Sequence, residues 1–198
     1  MTLTDRAIAY LATFSRQPAP SPSVLEAALR VRNQPVFDAW LAFQYKYAGY
    51  VEPLGHDTAI WGIIHEQGTW LKSVPDVEHD LVEEQWLVRC ADVHPSYNYL
   101  LDQGGAYRGY PPAMDFDVKI ERDALIYDLS LRGKLKSFYS SDLNQPREDL
   151  LRAIQEAKRV EVAEASDSFF RYYASPVCVV VEDLEEMEIY QVFCLDTP

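Results

Sequence analysis

Cysteine, glycine, histidine and basic side chains are all scarce in this 198-residue chain, and each scarcity closes off a class of protein. Cys90, Cys178 and Cys194 are the only cysteines, an odd number with no paired-motif spacing. That argues against a disulfide framework and predicts free, mostly buried thiols in a reducing compartment. Eighteen Lys and Arg stand against 31 Asp and Glu, a net charge of −13. Binding to a nucleic-acid backbone or an anionic membrane surface needs clustered cations, so neither is expected as a partner. Of the four histidines, His56, His65, His79 and His94, none sits in a His-Glu-x-x-His pattern. Eight glycines form no phosphate loop, dinucleotide fingerprint or Gly-x-Ser-x-Gly elbow, and Gly104-Gly105 with Gly109 suits a hairpin turn. No apolar run reaches the length of a membrane span, and the first residues lack a basic start followed by an apolar run. A cytoplasmic protein is expected.

What is present is a globular composition, with 48% hydrophobic and 13% aromatic residues. The length suits one large domain or a tight pair, and a single α+β domain over 1–198 is the expectation. Charge is unevenly placed. Residues 1–75 are neutral and residues 118–159 carry +2, whereas 76–117 hold nine acids against Arg89 and Arg108, and 160–198 hold nine against Arg171. Two acidic blocks thus supply the whole excess. They serve solubility in the plain reading, and in the sharper one an acidic face that attracts a basic partner.

Along the chain, Thr4 can cap a helix to about Ser15, Pro18 to Pro22 forms a connector, and a second helix runs from Val24 to about Arg32. Pro35 to Tyr50 reads as a third helix with Phe37, Trp40, Leu41, Phe43 and Tyr47 on one face and Gly49 closing it. Beyond Gly55 the pattern is β: strands over 59–65 and 69–74, a strand over 85–91, and a hairpin of Tyr97–Asp102 with Ala106–Arg108 about a glycine turn. Residues 113–120 suit another strand. Residues 123–139 alternate like a strand yet also fit a helix, the preferred reading, with Gly133 as its weak point. A helix is expected over 146–165, and the strands 177–181 and 189–195 form a closing hairpin covered on both faces.

A helix ending Phe-x-x-x-Tyr-x-Gly before a β-meander, then a strand ending Leu101-Asp102 followed by glycine and an aromatic strand, resembles the SUKH superfamily. The resemblance covers the SUKH-like region, about 24–145, with the acidic segment Pro75–Glu84 as an insertion. Together with the helix and closing hairpin read from the residues after that region, the resemblance gives the expected fold: α+β, N-terminal helices packed on a largely antiparallel β-sheet with a C-terminal helix and β-hairpin. It also implies an immunity protein, whose partner is a cognate bacterial toxin with a basic cleft. It carries over no binding residues, because interfaces in such a family vary between members.

Candidate chemistry is sparse, and no catalytic residue, metal site or cofactor is expected. Asp115 and Asp117 would share one strand face and, with His94 and Cys90, offer an alternative reading as a small metal-dependent hydrolase. Clusters Tyr45/Tyr47/Tyr50, Tyr97/Tyr99/Tyr107/Tyr110 and Phe169/Phe170/Tyr172/Tyr173 offer another, an aromatic-lined ligand module, though packed core aromatics are commoner. The favoured site is a pair of acidic runs holding apolar anchors. One has Asp76, Glu78, Asp80, Glu83 and Glu84 around Val77 and Leu81 and is expected as a short surface helix. The other has Glu182, Asp183, Glu185, Glu186 and Glu188 around Leu184 and Met187 at the hairpin tip.

Overall fold

The computed structural model describes residues 2–64, 77–80, 84–94, 97–109, 111–139, 148–185 and 188–196. It is an α+β protein, with five helices and antiparallel strand pairings throughout the described residues. Contacts divide the chain into two compact units, residues 12–116 and a discontinuous unit of 1–11 with 117–198.

Within 12–116, strand β1 (Ser15–Arg16) precedes helices α2 (Pro22–Val31) and α3 (Asp38–Tyr47). Pro22 occupies the first turn of α2, where its missing N–H costs nothing. Helix α3 starts three residues after Pro35, and Trp40, Phe43, Gln44 and Tyr47 are its buried face. The Trp40 indole donates to the Asp102 carbonyl at 2.8 Å. The Gln44 amide donates to the Pro20 and Ile64 carbonyls and its oxygen accepts from Ile63 N–H, so this buried polar side chain ties α3 to the strands. Gly49 follows with φ +91°, where a Cβ would also collide with the Gln17 carbonyl, so glycine is required twice over.

The meander β2 (Tyr50–Leu54) and β3 (Asp57–Trp61) joins β1 and β6 (Ala91–Asp92) in the order β1-β2-β3-β6. Strands β4 (Val77–Asp80), β5 (Gln85–Arg89) and β7 (Leu100–Asp102) make a three-stranded sheet in the order β4-β5-β7. The chain passes from one sheet to the other at Cys90, which is wholly buried. An aromatic core gathers round Trp61, with Phe116, Phe14 and Tyr50 at ring-centroid distances of 4.9, 5.5 and 5.8 Å. The expected strand 69–74 lies outside the described residues.

In the other unit, α1 (Asp5–Leu11) is capped by Thr4, whose hydroxyl accepts the Ala7 N–H. It ends four residues before the predicted Ser15. Helix α4 (Phe116–Ser130) replaces the predicted strand over 113–120. Of that strand only the bridge Tyr107–Ala113 survives. Residues 123–139 divide between the two readings: α4 to Ser130, then β8 (Leu135–Tyr139). Helix α5 (Glu148–Ala157) is shorter than predicted; the chain leaves it through a turn over 158–160 and a bridge at Glu161 to a 3₁₀ turn over Ala163–Ala165. Strands β9 (Phe170–Ala174), β10 (Cys178–Asp183) and β11 (Glu188–Leu195) complete a sheet in the order β8-β11-β10-β9.

Both faces of this sheet are covered, as the doubly apolar hairpin requires. Val179, Val181 and Tyr172 pack with Leu125 and Leu129 of α4. Cys178, Val180, Val192 and Cys194 pack with Leu150, Ile154 and Ala157 of α5. On that second face Cys178 and Cys194, paired in register, form a disulfide. This corrects the expectation of free thiols, which rested on sequence spacing and could not see a cross-strand register; Cys90 alone lies outside a disulfide and is buried.

Candidate partner-binding surface

The two acidic runs belong to different units. In the first, residues 77–80 form β4, not a surface helix. Val77 faces Val88, Glu78 faces Leu87, His79 faces Trp86 and Asp80 faces Gln85. Pairing with β5 decides the structure here, since Val77 and the His79–Trp86 ring contact at 4.8 Å gain partners that a surface helix would lack. Among the described residues β4 is an edge strand. Glu78 is exposed and Asp80 half-buried, while exposed Glu84 takes φ 52° in the turn into β5. Asp76, Leu81 and Glu83 lie outside the described residues.

The second run caps the β10–β11 hairpin. Asp183 and Glu188 stand opposite each other in register. The Asp183 carboxylate accepts the Glu185 N–H at 2.8 Å, which shapes the tip and leaves Glu185 exposed. Leu184 is half-buried and its N–H bonds the Phe169 carbonyl, so it anchors the tip to its own unit. Glu182 is engaged internally. It accepts from Lys158 Nζ at 2.6 Å and the Tyr173 hydroxyl at 3.0 Å. The Lys158 hydrogen bond holds its carboxyl below the usual carboxylate range, against the opposing effect of burial. Burial and the Glu182 bond push the Tyr173 hydroxyl upward. Glu186 and Met187 lie outside the described residues.

Sequence reading did not anticipate Lys158 or Tyr173 here. Lys158 follows α5 and Tyr173 lies on β9, and only the sheet order brings them to Glu182.

The hydrolase constellation loses its geometric premise. Asp115 precedes α4 and Asp117 lies in its first turn, so they do not share a strand face. Cys90 is buried while His94 is exposed. Among the described residues no group of three or more His, Cys, Asp or Glu side chains is placed to hold a metal. Of the aromatic clusters, Tyr47, Tyr99, Tyr107, Phe170 and Tyr172 are buried in the cores, and Tyr45 and Tyr97 are exposed. Tyr99 and Trp61 both donate to the buried Glu52 carboxylate, at 2.7 and 2.9 Å. Tyr110 lies outside the described residues.

Comparison with protein-family models, curated proteins and solved structures finds no match. Among the described residues no helix is long and apolar enough to cross a membrane.

Proposed function

We propose that this chain is a non-catalytic binding protein that acts as an immunity protein, inhibiting a cognate bacterial toxin by stoichiometric occlusion. The acidic surface docks on the basic substrate cleft of the toxin. One observation carries the reading: Asp183 and Glu188 are directly opposed at the hairpin tip, beside exposed Glu185. Like charges facing across a strand pair repel, and a bound cationic surface relieves that repulsion. Glu78 and Asp80 of β4 give the 12–116 unit acidic side chains of its own. The SUKH-like pattern of α3, Gly49 and the Asp102 hairpin supports the same class.

Co-expression with the product of the adjacent gene tests the reading. The neighbour should be toxic alone and harmless with this protein; a harmless neighbour, or unrelieved toxicity, sinks it. Reversing Glu185 and Glu188 to lysine should then slow association strongly at low salt and less at high salt. Stability should move by less than about 1 kcal/mol, because exposed charges contribute little to folding.

A further inference from the structure

Within the discontinuous unit, the hairpin strand β11, its neighbour β8 and helix α5 border a hollow. Register places Lys136 beside Cys194 and Phe138 beside Val192, on the face that α5 covers. There a cavity of about 240 Å³ opens. Its apolar lining includes Phe138, Leu150, Ala153 and Cys194; Leu150 and Cys194 are buried and Phe138 is half-buried. Drug-sized ligands fill sites of about 300–1,000 Å³, so this space suits a smaller molecule. An apolar floor with a few polar groups around it is the usual make-up of such a site.

The charged part of the lining is balanced. Lys136 and Arg152 are its cations and Glu156 and Asp196 its carboxylates, in a chain whose net charge is −13. A ligand carrying a net charge of either sign gains little from such a set. Lys136 and Asp196 already pair with each other. Arg152 and Glu156 differ from them. They stand one turn apart on α5, both exposed, and neither has an ion-pair partner among the described residues. Arg before Glu is the poorer order for a pair at this spacing, which favours leaving both heads open. Side chains so spaced start about 5–6 Å apart at their Cβ atoms and reach out over the same ground. The hollow is thus bordered by one open cation and one open carboxylate beside an apolar floor. An α-amino acid matches all three, because a single carbon bears its carboxylate, its ammonium and its side chain, and its net charge is zero.

We propose that this cavity binds a free amino acid with an apolar side chain. Arg152 takes the α-carboxylate and Glu156 the α-ammonium, while the side chain enters the hollow lined by Phe138, Ala153 and Cys194. The Lys136–Asp196 pair bounds the site without adding net charge. The site shares no residue with the acidic runs and does not depend on the toxin reading built on them.

Titration calorimetry of the full chain with L-leucine, glycine, L-leucinamide and N-acetyl-L-leucine tests the proposal. L-leucine should bind saturably, and glycine, which leaves the hollow empty, at least about tenfold more weakly. Leucinamide lacks the carboxylate and acetylleucine the ammonium, and each should bind at least about fivefold more weakly than leucine. The variants should then act on different ligands. Arg152→Gln should narrow the gap between leucine and leucinamide, and Glu156→Gln the gap between leucine and acetylleucine. Ala153→Trp should fill the cavity and abolish binding of all four. Circular dichroism checks that each variant folds, and the two exposed glutamine changes keep the test valid if Ala153→Trp does not. Absence of saturable leucine binding overturns the proposal, as does binding of either blocked analogue as tightly as leucine. So does an equal loss of all ligands in both glutamine variants, since a merely structural role for Arg152 and Glu156 would give that result.

Discussion

Arg122 and Asp167 form the most deeply buried ion pair among the described residues, their side chains 3% and 2% exposed. The guanidinium lies 2.7 Å from Asp167, donates to the Ala165 carbonyl and sits over the rings of Phe170 and Tyr172. Asp167 also accepts the N–H groups of Phe169 and Phe170. Removing one member strands a buried charge, so Asp167→Ala should cost about 3–5 kcal/mol in chemical denaturation. The double change Arg122→Met with Asp167→Asn should cost less than that single change, since it removes both charges and keeps an acceptor for the two N–H groups. Tyr172 nearby carries a second signature. Burial pushes its hydroxyl well above the ordinary value of 10.0, outweighing the opposing pull of Arg122. Because the folded state holds this proton more tightly, the associated stability is intact below pH 10 and is lost as pH rises beyond it. Tyr172→Phe should therefore flatten the alkaline fall in stability, by up to about 1.4 kcal/mol per pH unit, in denaturation midpoints followed above pH 10.

At the scale of elements, Gly49 is the tightest joint, between α3 and β2. Its N–H bonds the Trp61 carbonyl and its carbonyl accepts the Gln17 N–H, so the backbone cannot withdraw from the position a Cβ would contest. Gly49→Ala should destabilise the 12–116 unit by at least about 1–3 kcal/mol, measured as a lower denaturation midpoint. This joint was legible in the sequence because an amphipathic run, a glycine and a β pattern agree locally. The closing hairpin was legible for the same reason. Helix α4 was not. Its first half buries Asp117, Lys119, Glu121 and Arg122 among apolar residues. Those charges are satisfied in part by residues distant in the chain, as Glu121 is by Thr4 and Arg6, so the apolar period that betrays a helix is lost. β4 escaped for the complementary reason: four residues are too few for alternation to show, and pairing with β5 alone defines the strand. The acidity of both runs was plain, yet the sequence did not show that Glu182 faces Lys158 and Tyr173 while Glu185 and Glu188 face solvent.

For the whole molecule, the division into two units meets an uneven distribution of chromophores. All four tryptophans, at positions 40, 61, 70 and 86, fall within 12–116, and the discontinuous unit has none. Indole fluorescence therefore reports one unit, while far-ultraviolet circular dichroism reports both. Denaturant titrations should show two transitions. Gly49→Ala should move the one seen by fluorescence, and Asp167→Ala should move one seen by circular dichroism with little change in fluorescence. Coincident shifts in both probes for both variants would instead show a single cooperative unit.

The bonds from Thr4 to Glu121 span 117 residues of sequence and reach a carboxylate that is wholly buried. During synthesis α1 leaves the ribosome long before its acceptor exists. At about 5–20 residues per second it waits on the order of ten seconds, while 12–116 has the means to fold between its two halves. Until Glu121, Glu164 and the last strands emerge, the nascent N-terminal helix has no core to join.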